Sequence, residues 1–207
     1  MKCVVALGLV TLLSIAKAEA AVSAFTNLAA WQAAAGASTL EDFGATPPAQ
    51  LAAGSNEVGA FSVFLDKNGL AFNEVNSGGF LSLYVDDVGS LSRGAFVVRF
   101  DFDTPLIGFA ANWASTISGD RATIAIAGTT FQFDNFLVGG NGFLGFVSTV
   151  PFSSLSFAHE SFSSIDGEGF TLDNARLATG IAAVPEPSAM ALLGLALFAG
   201  GTLRRRA

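Results

Sequence analysis

Short runs in which apolar and polar residues alternate constrain the fold of this chain more than any other feature. In the run AFVVRFDF every second residue from Phe96 to Phe102 is apolar, whereas Arg99 and Asp101 lie on the opposite face of a strand. Breaks rich in Gly, Asn, Ser and Asp separate the runs. The predicted strands are residues 40–43, 58–65, 69–73, 80–85, 95–102, 106–112, 122–127, 129–133, 143–150, 154–158 and 169–177. Such a series predicts a mainly β fold, an antiparallel jelly-roll-like β-sandwich, rather than alternating βαβ units.

Phenylalanine is by far the commonest aromatic residue of the chain, with twenty copies against two tryptophans and one tyrosine. Its side chain has no polar group, so at alternating strand positions it is expected to fill the space between two sheets. We therefore interpret the phenylalanines as core residues rather than as ligand-binding platforms.

One short helix is predicted before the C-terminal segment, over residues 24–37. Thr26 is expected to cap its start and Gly36 to end it. The apolar face at helical spacing consists of Leu28, Trp31 and Ala35. Trp31 is the expected anchor of this helix in the core.

Residues 1–20 have the layout of a secretory signal peptide. Lys2 precedes an apolar stretch, and small residues at alternating positions close the segment. This order predicts cleavage by signal peptidase after Ala18 or after Ala20, and both positions remain open.

The only cysteine, Cys3, lies inside that predicted signal peptide. An exported domain without cysteine has neither disulfides nor a cysteine nucleophile, so its core or a metal must stabilise it.

The charge of the chain is strongly negative, with a formal value of −7. Residues 21–184 hold five basic residues against fifteen acidic ones, which gives this part a net charge of −10. Such a domain repels phosphate backbones, which argues against nucleic acid as a partner, and it favours cations.

The C-terminal segment combines three elements: Pro185, Glu186 and Pro187, then sixteen uncharged residues at 188–203, then Arg204, Arg205 and Arg206. As a helix the uncharged part would span about 24 Å, which is short for a hydrocarbon core of roughly 30 Å. It therefore suits a temporary anchor in the inner membrane better than a permanent one, with the arginines on the cytoplasmic side.

This tripartite order closely resembles the PEP-CTERM sorting signal of exported bacterial proteins. The resemblance implies processing near Pro185, Glu186 and Pro187 by an exosortase, a membrane-embedded transpeptidase, followed by a place at the cell surface or in the extracellular matrix. It also implies a Gram-negative bacterium that makes exopolysaccharide and biofilm. The expected organisation is a signal peptide at 1–20, a β-sandwich at 21–180 and the sorting signal at 181–207. The middle of the chain is similar to sandwich domains often joined to such signals.

Catalytic residues are not predicted, and the leading hypothesis is a non-enzymatic protein. The one histidine, His159, is followed by Glu160 and Ser161, but no G-x-S-x-G sequence identifies a nucleophile. A secreted hydrolase that uses His159 is the least favoured alternative.

A structural calcium ion is a second alternative. Ca²⁺ takes about six to eight oxygen ligands, which an acidic chain supplies in number. In jelly-roll carbohydrate-binding modules, which this chain resembles in pattern, such an ion often joins an early acidic strand to the last one. Glu41 and Asp42 would supply the first part and Asp173 the second. The opposing interpretation places these residues in turns or at the surface.

Glycan binding would require an exposed aromatic ring with polar groups around it. The two candidates are Trp113, in the sequence AANWAS, and Tyr84, beside Asp86 and Asp87. Burial of Trp113 beneath the edge of the sandwich is the competing interpretation, and so few rings predict no strong affinity for saccharide.

Overall fold

The computed structural model describes residues 20–67, 73–85, 97–114, 122–137, 140–159 and 168–180. It is mainly β, with 66% strand, one α-helix and antiparallel strand pairs, which confirms the predicted fold class. The elements are β1 (Val22–Phe25), α1 (Leu28–Ala35), β2 (Thr39–Glu41), β3 (Ala49–Gln50), β4 (Gly54–Val58), β5 (Phe61–Leu65), β6 (Glu74–Asn76), β7 (Phe80–Val85), β8 (Val97–Ala114), β9 (Ala122–Ile126), β10 (Thr129–Gln132), a 3₁₀ turn (Phe133–Asn135), β11 (Gly142–His159) and β12 (Glu168–Ala178).

Two long strands, β8 and β11, run through both layers of the sandwich. Each has 18 residues and pairs with the other along most of its length. The first part of β11 and the second part of β8 lie in one layer with β1, β12, β7, β6 and β3. The remaining parts lie in the other layer with β10, β9, β5 and β4. The sequence pattern predicted two separate strands in each case, which is wrong.

The two long strands bend together where they pass from one layer to the other. β11 advances from Val147 to Phe152 while β8 moves back only from Gly108 to Leu106. Exposed prolines, Pro105 and Pro151, stand at these bends. Proline has no N–H for the ladder, so the hydrogen bonding is interrupted there and the register between the two strands shifts.

Ten phenylalanines are buried with leucine and valine in the space between the layers, which confirms the prediction of a core role for these ten. Phe61 on β5 contacts Phe109 on β8 with ring centroids 6.2 Å apart, and Phe157 contacts Phe170 on β12 at 4.9 Å. The buried phenylalanines are Phe43, Phe61, Phe100, Phe102, Phe109, Phe133, Phe146, Phe152, Phe157 and Phe170. Rings from both layers therefore interdigitate, as expected for a β-sandwich.

The predicted start of the helix is wrong. Residues 22–25 form β1, which pairs with β11, and α1 begins only at Leu28. Asn27, not Thr26, is the cap, because its side-chain Oδ1 accepts a hydrogen bond from the N–H of Ala30 at 3.1 Å. The end at Gly36 is confirmed, with a φ of 77° that favours glycine.

Trp31 anchors α1 on the outer side of β8 and β11, and it is fully buried there. Its indole lies directly over two glycines: a Cβ at Gly108 would come within 3.2 Å of the ring, and one at Gly145 within 2.6 Å. Its Nε1–H donates a hydrogen bond to the carbonyl of Phe146 at 3.0 Å. The predicted role of Trp31 is thus confirmed, and the missing side chains of the two glycines make room for it.

Other strand boundaries differ from the prediction. The run at 58–65 is a hairpin, since Gly59 has a φ of 59° and the turn separates β4 from β5. The run at 40–43 stops at Glu41. The short strands β1, β3 and β6 were not predicted, and residues 69–72 of one predicted strand lie outside the described residues.

Candidate functional site

Trp113 lies between the two layers rather than at the surface. Its side chain is 2% exposed and packs against Phe133, Phe157 and Phe170, with ring centroids 5.0, 5.7 and 5.7 Å away. Its Nε1–H donates to the carbonyl of Leu144 at 3.0 Å. Because both ring faces are covered by protein, this tryptophan offers no stacking platform to a sugar in the structure.

Tyr84 points away from the core that holds Trp113. It is half-buried on β7 between the buried Leu83 and Val85, so its side chain leaves the opposite face of the strand. The ring lies over Gly169, its partner on β12, where a Cβ would approach it within 3.0 Å. The two aromatic residues considered for glycan binding are therefore on different faces and do not form one site.

The acidic residues of LEDFG shape a turn that inserts a phenylalanine into the core. Phe43 has a φ of 54°, and its buried ring contacts Phe61 at 6.0 Å. Its N–H donates to Oε1 of Glu41 at 2.7 Å, and the N–H of Gly44 donates to Oδ1 of Asp42 at 3.0 Å. Both carboxylates thus bind backbone donors of the turn in which they lie.

Glu41 also lies close to Gly59, which has a φ of 59°. A Cβ on Gly59 would overlap the carboxylate of Glu41. A side chain at position 59 would therefore have to displace the carboxylate of Glu41, and the positive φ also favours glycine there.

Asp173 marks an irregularity in β12. The register with β8 shifts between Asp173 and Arg176, and Asn174 has a φ of 54°. The oxygens of Asp173 accept hydrogen bonds from the N–H of Asn174 at 2.6 Å and from its Nδ2 at 2.7 Å. This is the turn or bulge that the sequence offered as the alternative to a metal ligand.

The carboxylates proposed for calcium do not form a cage. Glu41 lies opposite Ala175 on β12, and each of the three acids is bonded to its own turn. Within the described residues there is no group of three or more His, Cys, Asp or Glu side chains placed to hold a metal ion. Calcium binding by Glu41, Asp42 and Asp173 therefore stays a prediction that rests on the resemblance.

The hydrogen bond between Glu41 and the backbone of the LEDFG turn leads to a testable prediction. The variant Glu41→Ala removes the charged acceptor of the Phe43 N–H, so we expect the free energy of unfolding to fall by about 1.5–3 kcal/mol. Urea denaturation monitored by fluorescence, in EDTA and in excess Ca²⁺, measures this loss. We expect the same loss in both solutions.

The control for this experiment is Glu57→Ala, because Glu57 is an exposed acid on β4 whose carboxylate accepts a hydrogen bond from the hydroxyl of Ser62. That change should alter the free energy of unfolding by less than about 0.5 kcal/mol. A loss for Glu41→Ala that occurs only in Ca²⁺ would contradict the structural role and identify Glu41 as a calcium ligand.

His159 ends β11, where its backbone lies opposite Ala122 on β9. Its neighbours in the sequence, Glu160 and Ser161, lie outside the described residues. The hydrolase alternative that uses His159 therefore stays a prediction from the sequence.

Arg99 and Asp101 form an ion pair on the outer face of β8. The guanidinium donates to both carboxylate oxygens, at 2.7 and 2.9 Å, and stacks on Phe64 of β5 at 4.6 Å. The hydrogen bonds that Arg99 donates to Asp101 raise the pKa of Arg99, although partial burial lowers it. The pair is half-exposed and ties β8 to β5, which is a structural role.

An open groove of about 320 Å³ lies beside β3 and β6 and was not foreseen from the sequence. It is lined by residues 48–50 and 74–77, and the Nδ2 of Asn76 donates to Oε1 of Glu74 at 2.9 Å. No periodic signal identifies it, because the two strands that form it have only two and three residues.

These features define an antiparallel β-sandwich protein in which Trp113, Glu41, Asp42 and Asp173 have contacts that support the fold. The comparison with protein families then identifies a further element: the model of the PEP-CTERM protein-sorting motif matches residues 183–206. The chain therefore carries a PEP-CTERM sorting motif, which marks it as an exported protein that is targeted to an exosortase at the membrane. A search of curated proteins found no match.

The residues predicted to act in processing lie outside the described part of the chain. They are Pro185, Glu186, Pro187, Arg204, Arg205 and Arg206, together with the uncharged residues 188–203. Of the two predicted cleavage positions for signal peptidase, Ala18 is also outside and Ala20 is the first described residue. Among the segments that are described, none is a helix with the length and hydrophobicity needed to cross a bilayer.

Proposed function

We propose that the sandwich is a non-enzymatic domain that is exported, cut by an exosortase and left at the cell surface or in the extracellular matrix. Signal peptidase removes residues 1–20 near Ala18 or Ala20, and residues 188–203 hold the chain in the inner membrane until processing. One observation carries this proposal: the sorting motif at 183–206 follows the last strand, β12, by only a few residues.

The pairing of the last strand supports the expectation that cleavage near the motif leaves the domain intact. β12 ends at Ala178 and pairs with β2, β7 and β8, so it is an interior strand of its layer. All of these pairs involve residues that precede the motif. The domain can therefore keep its fold when the C-terminal segment is removed.

The proposal includes no dedicated site for sugar or calcium, and the structural roles of the residues considered for binding support this part. Trp113 fills the core, while Glu41, Asp42 and Asp173 accept hydrogen bonds from nearby residues of their own turns. Association with exopolysaccharide in a biofilm matrix would then follow from the destination of the protein rather than from a dedicated sugar site.

Mass spectrometry of the protein recovered from the cell surface and medium tests this proposal. We expect a C-terminus near Pro185 to Pro187 that lacks Arg204, Arg205 and Arg206. A recovered protein that still ends in RRRA would contradict exosortase processing. Finding the mature form in the exopolysaccharide fraction of the matrix tests the destination.

Matched variants test whether the motif directs the cleavage. Replacement of Pro185, Glu186 and Pro187 by alanine should leave the C-terminal segment attached and the protein in the membrane fraction. The control is Ile181→Ala, which lies just before the matched residues and should be processed as efficiently as the unmodified chain.

A further inference from the structure

The chain enters and leaves the sandwich at the same end. Val22, at the start of β1, lies opposite Ser148 of β11, and the adjacent Val147 lies opposite Gly108 of β8. Gly108 in turn lies opposite Ala178, the last residue of β12. Three spacings between neighbouring strands separate the two points, which corresponds to about 14 Å.

Contacts within the domain fix both points. At the start, the N–H of Thr149 donates to the carbonyl of Ala21 and the N–H of Ala21 donates to Oγ1 of Thr149, each at 3.0 Å. At the other point, the buried Ala178 pairs with Gly108 of β8, and the exposed Thr179 and Gly180 follow it. The ends of the domain are thus held side by side.

We call the surface around these two points the exit face. It includes the bends of β8 and β11 and the end of α1. Its exposed residues are Ala21, Gly36, Ala37, Asp103, Thr104, Pro105, Thr149, Val150, Pro151, Thr179 and Gly180.

The sorting motif lies very close to the exit face along the chain. Only residues 181–184 separate Gly180 from Pro185. Fully extended, this stretch spans at most about 18 Å. Whenever residues 188–203 are in a membrane, the exit face is therefore the part of the domain that is held near its surface, a step that rests on the proposed function.

The charge of the exit face suits that position. Asp103 is its one charged member, although residues 21–184 carry a net charge of −10. The rest are small, apolar or hydroxyl residues, and Val150 is 38% exposed. Anionic lipids repel carboxylates that approach within a Debye length, about 8 Å at physiological salt, so a nearly uncharged end approaches at the lowest cost.

We propose that the exit face is a membrane-contacting surface that rests on the phospholipid headgroup layer while the sorting segment is inserted. The sandwich then stands on this end, with both bends at the bilayer. This orientation presents the Pro-Glu-Pro motif beside the membrane in which the exosortase lies.

Fluorescence quenching in vesicles tests the orientation without the exosortase. The full chain, with Cys3→Ser, is labelled with a fluorophore at Val150→Cys and reconstituted into phosphatidylcholine–phosphatidylglycerol vesicles that carry spin-labelled headgroups. The control is Asn135→Cys, an exposed site beyond β10, where Gln132 lies opposite Thr123 at the other end of the sandwich. We expect quenching at position 150 to exceed that at position 135 several-fold, and equal quenching would overturn the proposal.

Processing in cells gives an independent measurement. Acidic residues added to the exit face, Thr104→Asp with Val150→Asp, should slow C-terminal cleavage several-fold, whereas Asn135→Asp should not. A ten-residue Gly/Ser insertion after Gly180 should restore the rate, since it frees the domain from the surface. If the double variant with Thr104→Asp and Val150→Asp were processed as fast as Asn135→Asp, the membrane-contacting role of the exit face would be wrong. If the unmodified chain were not processed at all, the proposed function would be wrong. Circular dichroism verifies that each variant is folded.

Discussion

Replacing Trp113 with alanine is expected to lower the free energy of unfolding by about 3–5 kcal/mol, in the range of large-to-small changes at buried aromatic residues. The ring occupies the centre of a cluster formed by Phe133, Phe157 and Phe170, which come from three different elements. Its removal leaves a cavity between the layers and takes the indole donor away from the carbonyl of Leu144. Urea denaturation monitored by circular dichroism measures the loss.

Two further variants separate burial from other effects. Trp113→Phe keeps most of the packing and loses the hydrogen bond, so we expect a smaller loss of about 1–2 kcal/mol. Asn112→Ala changes the exposed neighbour and should stay within about 0.5 kcal/mol of the unmodified protein. If Trp113→Ala were fully stable but bound exopolysaccharide less tightly, the residue would be a surface platform and the structural interpretation would be wrong.

The second large effect is expected for Trp31→Ala, again about 3–5 kcal/mol. Trp31 is fully buried, yet it lies outside the main core, between α1 and the glycines at positions 108 and 145. Without the indole the helix loses its anchor, and the glycines leave a cavity beneath it. We expect loss of helix protection in amide hydrogen exchange together with the lower stability.

The controls for this variant separate the contribution of packing to the free energy of unfolding from that of the hydrogen bond. Trp31→Phe should cost about 1–2 kcal/mol, because the carbonyl of Phe146 loses its indole donor. Gln32→Ala, on the exposed face of α1, should change stability by less than about 0.5 kcal/mol. Full stability of Trp31→Ala would show that α1 is not needed to cover the sheet.

Individual strands followed from the sequence where alternation was regular and the strand was short. The prediction at 80–85 coincides with β7, and Arg99 and Asp101 lie on the outer face of β8 as the alternation indicated. The strand prediction was wrong at the bends of β8 and β11, because a proline such as Pro105 or Pro151 resembles a strand end when only the local sequence is considered. In the structure, β8 and β11 pair with each other on both sides of the bend, so each continues as one strand.

The roles of the candidate site residues depended even more on contacts with residues that are far away in the sequence. Glu41 and Asp42 have the same sequence signature whether they bind an ion or a backbone N–H, and the turn around Phe43 is what distinguishes the two. The small polar residues around Trp113 were compatible with a loop as well as with burial beneath the edge of the sandwich, and its partners Phe133, Phe157 and Phe170 come from other elements. Local composition carries no information about such partners.

The sequence by itself determined the β class, the phenylalanine core and the PEP-CTERM sorting motif, because periodicity, residue type and a linear signal are local properties. Only the tertiary structure decided that two strands serve both layers, that Trp113 is buried and that the chain enters and leaves at one end. Those properties depend on the register of strands that are far apart in sequence, such as Gly108 with Val147 and Ala178. Register is selected by the packing of the whole sandwich, since a shift of one residue would move every side chain to the other face.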